Sequence, residues 1–315
     1  MKVNVLTLVG YLFTVLCYAG PIILLLILRL RKVRQIANAL IGICVYINFF
    51  VLVYLVLFCN VIGGRIGFLK DLLDQPVSYA LLLVLVGGTL CEFGRYLGLR
   101  FGLGESHKWR DAMGLGLGYG LAATFGLATD SMSTVMMVNY VMVSSEGGVE
   151  EYYRILEEAG VEHEAAQSLL EQVMAMKFID GFVFMFQLLM IITVSVAVSV
   201  LVLGAVRKDT YFKSMPILCV WVAAASHIFT DGLPILLTRI LKVPMILVIL
   251  YMILVTAGAG YFLYISWKQH PGEGIKAGIK EAAREAKEAK NGVVHASISE
   301  MAAKKTADID TKDND

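Results

Sequence analysis

Between Arg34 and Arg65, between Asp180 and Arg207, and between Lys242 and Lys268, the chain carries no aspartate, glutamate, lysine or arginine. Helices on the surface of a water-soluble fold keep a polar face, so uncharged runs of this length do not belong there. They suit a hydrocarbon slab about 30 Å thick, which takes about 20 mostly apolar residues to cross as a helix. With no water to bond, such a segment must satisfy its N–H and C=O groups internally, and a helix does so. Composition agrees: 58% of the 315 residues are hydrophobic and 17% charged, against about 25% charged in soluble domains. The expected class is an all-α polytopic membrane protein.

Seven apolar runs are legible, roughly 4–28, 37–62, 77–99, 112–142, 179–204, 214–237 and 243–267, giving a membrane domain over 1–267. The first is too long and unbroken for a cleaved signal peptide and reads as an anchor, with Pro21 at a tolerated kink. The fourth opens on Gly114, Gly116, Gly118 and Gly120 and is unusually long, so the alternative is eight spans with a broken or re-entrant fourth. Basic residues mark one side: Arg29, Arg31, Lys32 and Arg34, then Arg100, Lys108 and Arg110, then Arg207, Lys208 and Lys213. The positive-inside rule then puts the N-terminus outside and the C-terminus in the cytoplasm, with Trp109 and Trp267 as interfacial aromatics.

Two segments lie out of the bilayer. The external loop 143–178 is acidic, with Tyr152, Tyr153, Leu156, Leu169, Leu170 and Val173 recurring at helical intervals, which predicts one or two short amphipathic helices. Residues 268–315 form a polar cytoplasmic tail, helical over 275–290 and disordered beyond. A net charge of +1 gives no support for nucleic-acid binding. Cys17, Cys44, Cys59, Cys91 and Cys219 all fall in apolar runs without a CxxC pair, against a disulfide framework or a zinc ribbon.

An ionisable group at mid-membrane costs roughly 2.5–3.5 kcal/mol on insertion scales, so each needs a partner or a task. Glu92, Arg95, Asp130, Asp180, His227 and Asp231 are the ones inside the runs. Glu92 and Arg95 are three apart and share a helix face. They form either an internal ion pair, with Arg95 close enough to the span end to snorkel, or a glutamate oriented by its arginine in a cavity. His227 and Asp231 are four apart, and the carboxylate can fix the ring's tautomer. Tyr119 lies at about the depth of Glu92, while Asp130 lies further outward as a second polar anchor or a lining residue. One imidazole within the spans does not make a zinc site, so no metal and no cofactor is expected.

Four stretches, in order, resemble the YhfC-like family of glutamic-type intramembrane proteases, distant relatives of the CAAX-prenyl protease and bacteriocin-immunity superfamily. They are Cys91-Glu92-Phe93-Gly94-Arg95-Tyr96; Lys108-Trp109-Arg110-Asp111-Ala112 leading into Gly116-Leu117-Gly118-Tyr119-Gly120; Ser199 to Lys208; and His227-Ile228-Phe229-Thr230-Asp231. The likeness covers about 90–240, and the topology extends it to 267. It implies a water-filled intramembrane cavity where a glutamate acts as general base and histidines support the oxyanion or leaving group. This chain departs from the pattern: Cys91 stands where the family has the first glutamate, Tyr119 where it has a histidine, and Ala123 where it has a further glutamate.

These losses favour a non-catalytic or weakly active relative, a pseudoenzyme that keeps the cavity and binds a membrane peptide, lipid or partner protein. The alternative is an active intramembrane peptidase with Glu92 as base, Arg95 orienting it, His227 and Asp231 supporting the oxyanion or donating a proton, and Tyr119 lending a hydroxyl. Cys91 reads as a buried structural residue. A third reading is a proton-coupled transporter using Glu92, Asp130 and His227; the absence of visible internal repeats counts against it. The resemblance implies a bacterial plasma membrane, with the bilayer itself as the first partner.

Overall fold

The computed structural model describes residues 19–27, 35–103, 108–130, 142–143, 148–175, 178–207 and 215–270, with short stretches between 272 and 288. Every regular element among them is a helix. We number them α1 (19–27), α2 (Gln35–Gly63), α3 (Gly67–Asp74), α4 (Val77–Gly102) and α5 (Trp109–Asp130). Then follow α6 (Gly148–Glu158), α7 (His163–Ala175), α8 (Phe178–Arg207), α9 (Leu218–Thr238) and α10 (Met245–Gln269).

Five of these, α2, α4, α8, α9 and α10, are long and apolar enough to cross a membrane, making this a multi-pass membrane protein. They correspond to the second, third, fifth, sixth and seventh apolar runs. Most of the first run lies outside the described residues, as do 131–141 of the fourth and the side chains of Asp130 and Asp180. The outward faces are apolar, as lipid requires: on α10, Leu247, Leu250, Leu254 and Tyr261 are all exposed.

Helix α5 is rich in glycine, with Gly114, Gly116, Gly118 and Gly120 in its first half. These glycines serve contact. Gly114 and Gly118 face α2, and a Cβ at Gly118 would run into the Ala39 carbonyl. Gly116 and Gly120 face α8, where a Cβ would sit 2.7 Å from Val196 Cα and 3.0 Å from Ile192 Cα respectively. The run is thus two interleaved small-xxx-small seams, and α5 is wedged between two neighbours at backbone distance. Gly42 on α2 answers from the other side, meeting the Leu115 and Tyr119 backbone. Asn38 Nδ2 donates to Asp111 Oδ1 at 3.0 Å, and the Lys108 N–H donates to Asp111 Oδ2 at 3.2 Å, capping the start of α5.

On α4, Gly94, Gly98 and Gly102 recur every four residues and accept Phe49, Val45 and Ile41 of α2. Pro76 opens that helix after an extended Gln75, which separates it from α3. Helix α9 widens to i→i+5 turns at Ile228–Gly232 and Leu236–Ile240. Pro234 lies between them; it has no N–H to donate, and the ladder loosens around it.

Trp109 is buried at 6% exposure, packed in the main core with Ala112, Val198 and Val202 rather than lying at an interface, whereas Trp267 is exposed. The tail folds back beneath it. Glu273 Oε2 accepts the Trp109 backbone N–H and an Arg207 Nη1–H, each at 2.7 Å. The start of α5, the end of α8 and the start of the tail therefore share one side. Burial alone would raise the Glu273 pKa, but these two donors outweigh it and hold the carboxyl below its ordinary value.

The acidic loop forms two helices, α6 and α7, which close a small core of Val143 and Tyr152 with Leu156, Leu169 and Leu170 around it. Gly160, at φ +79°, makes the turn between them. The helix expected at 275–290 lies mostly outside the described residues; within it, Arg284 Nε is 3.5 Å from Glu288 Oε1.

Candidate functional site

Helices α4, α5 and α9 bring five of the expected residues to one place. Glu92 and Arg95 come from α4, Tyr119 from α5, and His227 with Asp231 from α9. All five line a single chamber of about 650 Å³. Its remaining wall is mostly apolar, including Phe50, Val51 and Leu55 of α2, Val183 and Ile191 of α8, and Met252 of α10.

The polar groups form a continuous chain. Arg95 is only 2% exposed, so it turns inward instead of snorkelling to the span end. Its Nη1 donates to the Ser195 carbonyl at 2.7 Å and to the Ser199 and Ser195 hydroxyls at 2.6 and 3.1 Å. Those serines are fixed in turn: Ser195 Oγ donates to the Gly116 carbonyl at 3.0 Å, and Ser199 Oγ to the Ser195 carbonyl at 2.9 Å. Arg95 Nε lies 2.9 Å from Glu92 Oε2, an ion contact without hydrogen-bond alignment. The guanidinium also stacks over the Tyr119 ring, 3.9 Å from its centroid.

Glu92 has no exposed surface. Its Oε1 is 3.0 Å from His227 Nε2, and His227 Nδ1 makes a short hydrogen bond to Asp231 Oδ2. Exposure rises along the line, from 0% at Glu92 to 14% at His227 and 30% at Asp231. Both ring nitrogens therefore face carboxylates. A neutral imidazole can donate to one only, so either the ring or one carboxyl must carry an extra proton for both bonds to form.

Three residues not expected to act at the site build this arrangement, although Ser199 opens the third family-like stretch. Ser195 and Ser199, four apart on α8, anchor Arg95; their spacing inside an apolar run is the signal that could have found them. Gly88 makes room for the imidazole, since a Cβ there would lie 3.0 Å from His227 Cβ and Cγ. Cys91 is 1% exposed and packs in one cluster with Val45 and Tyr119. Ala123 lines the same chamber.

Among the described residues, no three His, Cys, Asp or Glu side chains converge as a metal-binding group would. The donor chemistry agrees. A hydrolytic metal centre uses about three protein ligands and an open position. Here the one imidazole in the chamber has both nitrogens directed at carboxylates, and Glu92 is flanked by a fixed guanidinium. As arranged, these residues do not fit a catalytic metal.

The model of a family described as YhfC intramembrane metalloprotease matches residues 16–254. A Bacillus subtilis protein described as uncharacterized membrane protein YhfC is 27% identical over 82 residues, covering 26% of this chain and 31% of that protein. The matched segment thus spans about a third of the relative's length. No solved structure matches.

Proposed function

The chain belongs to the YhfC intramembrane metalloprotease family, and from that membership we propose that it keeps the family's chamber to hold a membrane peptide rather than to cut one. In this reading it has seven spans, α1 and α5 completing the five long apolar helices. Its N-terminus is outside and its tail cytoplasmic, in a bacterial plasma membrane. Residues 1–267 form the membrane domain, 143–178 the external hairpin, and 268–315 the tail.

The observation that carries the proposal is the state of Glu92. A general base must present an oxygen to the water it deprotonates. Glu92 has no exposed surface, one oxygen against Arg95 and the other against His227. What faces the chamber is apolar wall with a polar strip ending in Asp231. That suits an extended apolar segment whose backbone amides need a few hydrogen-bonding partners. The metal implied by the family description has no fitting donor set here, so no step of this reading passes through one.

The test is reconstitution in lipid vesicles with single-span model peptides carrying a photoreactive group. Illumination is expected to cross-link peptide to Val183 or Phe50, with no shortened product on prolonged incubation. Hydrolysis that disappears in Glu92→Gln would overturn the proposal. It would favour the second reading, an active peptidase with Glu92 as base and Arg95, Tyr119, His227 and Asp231 in support. One observation favours that alternative: His227 stands in the chamber wall with a carboxylate on each nitrogen, an arrangement able to move a proton between them.

A further inference from the structure

Positions 91 and 119, two of the three where the family resemblance leads one to expect a glutamate or a histidine, are 28 residues apart in sequence and fall in one buried cluster. Cys91 and Tyr119 are both buried and pack in one cluster with Val45. The next residue along α4 is Glu92, which reaches His227 at 3.0 Å, and Tyr119 lies under the guanidinium that flanks Glu92. Positions 91, 92, 119 and 227 thus form one contiguous cluster drawn from α4, α5 and α9. Two of them carry side chains able to ligate a hard or borderline cation as carboxylate and imidazole. The other two carry a buried thiol and a buried phenol.

We infer that this cluster is a disarmed metal site: the chain holds no divalent cation as it stands, and Cys91 with Tyr119 is the matched pair of replacements that removed the capacity. The physical argument is one of donor count and charge. With Glu92 and His227 alone, two ligands remain of the three or four a stable zinc centre uses. His227 can bind a cation only by surrendering its hydrogen bond to Glu92 or to Asp231. Glu92 can do so only beside the Arg95 guanidinium, whose repulsion of a second cation is little screened in a site with no solvent exposure. A thiol there could ligate only as thiolate, and the cluster that buries it, Val45 and Tyr119, supplies no base. The reverse exchange restores a carboxylate and an imidazole at two adjoining points, giving four donors with Glu92 and His227. One exchange without the other leaves three donors.

This inference rests on the non-catalytic reading of the chamber but is tested apart from it. The full-length protein, purified in detergent and equilibrated with zinc, is dialysed and its metal content measured by mass spectrometry. Cobalt replaces zinc in a parallel sample read by its visible absorption. Wild type is expected to retain far less than one equivalent, with no difference between it and His227→Ala. The Cys91→Glu/Tyr119→His double variant is expected to retain about one equivalent and to show the intense visible bands of four-coordinate cobalt, lost again on His227→Ala. Wild type retaining a full equivalent that His227→Ala abolishes would overturn the inference, and this arm does not depend on any variant at 91 or 119 folding. A double variant that melts cooperatively yet binds no metal would overturn the assignment of the four positions. Wild type that holds no metal and captures no peptide sinks the peptide-chamber proposal alone and leaves this one standing.

Discussion

Replacing Arg95 by methionine removes a side chain with contacts on three sides while roughly keeping its volume. The guanidinium contacts Glu92 on one edge, three oxygens of Ser195 and Ser199 on another, and the Tyr119 ring on its face. Its loss leaves a fully buried Glu92 with His227 as its remaining partner and takes one donor from Ser195 and Ser199, which keep their bonds to the Gly116 and Ser195 carbonyls. Breaking a buried ion pair by removing one member costs about 3–5 kcal/mol. Insertion scales give about 2.5–3.5 kcal/mol for a lone charge at the centre of a span, which agrees. Neutralising both groups, in Arg95→Met with Glu92→Gln, removes the uncompensated charge. We expect that double variant to recover about 2 kcal/mol relative to the sum of the single costs, a factor of about 30 in the unfolding equilibrium. The four corners of this cycle can be measured by sodium dodecyl sulfate titration in mixed micelles, followed by tryptophan fluorescence and far-ultraviolet circular dichroism. Additivity within about 0.5 kcal/mol would refute the claim that the two residues act as one buried unit.

Three further predictions use other parts of the molecule. Gly118→Val forces side-chain atoms into the Ala39 backbone and should cost about 1–3 kcal/mol or more, read in the same titration; an unchanged midpoint would mean that α5 does not sit against α2. Gly160→Ala places a side chain at φ +79° and should destabilise the α6–α7 hairpin by about 1 kcal/mol, seen as faster amide exchange confined to 148–175. The carboxyl of Glu273 is held below its ordinary value by Arg207 and the Trp109 amide, after burial is overcome. Its contribution is therefore complete above the unfolded-state pKa of about 4.3 and is lost as pH falls through the lower folded value. Wild type should melt higher than Glu273→Gln at neutral pH and converge on it under acid, whereas a constant gap across the range would exclude that linkage.

Sequence alone reveals those parts of this protein whose physics is local. Helices α2, α4, α8, α9 and α10 are legible because an uninterrupted apolar run has one stable answer in hydrocarbon. The pairs Glu92–Arg95 and His227–Asp231 are legible because spacings of three and four put side chains on one helical face. The bond from Glu92 to His227 is not, since it depends on how α4 and α9 are rotated, and rotation is set by packing. Gly88 decides that packing, and it reads in sequence as one more glycine in a span. Ser195 and Ser199 are hidden for a related reason: serines in an apolar helix often bond their own backbone, and only the approach of Arg95 gives them another use. Trp109 is not legible as a core residue because a tryptophan at a span end usually lies at the interface, whereas here it packs into the main core. The widened turns of α9 were foreshadowed by Pro234, but their extent depends on neighbours.

The wedge formed by α5 has a bearing on how this protein is made. Its two glycine seams lie against an earlier helix and a later one. During synthesis α2 is present when α5 emerges, but α8 is not, because the whole α6–α7 hairpin must be translated first. For that interval one seam stands open, and the nascent chain must keep it from strangers until its own partner arrives. The order in which the ribosome delivers these helices is therefore as much a part of the chamber's construction as the side chains that line it.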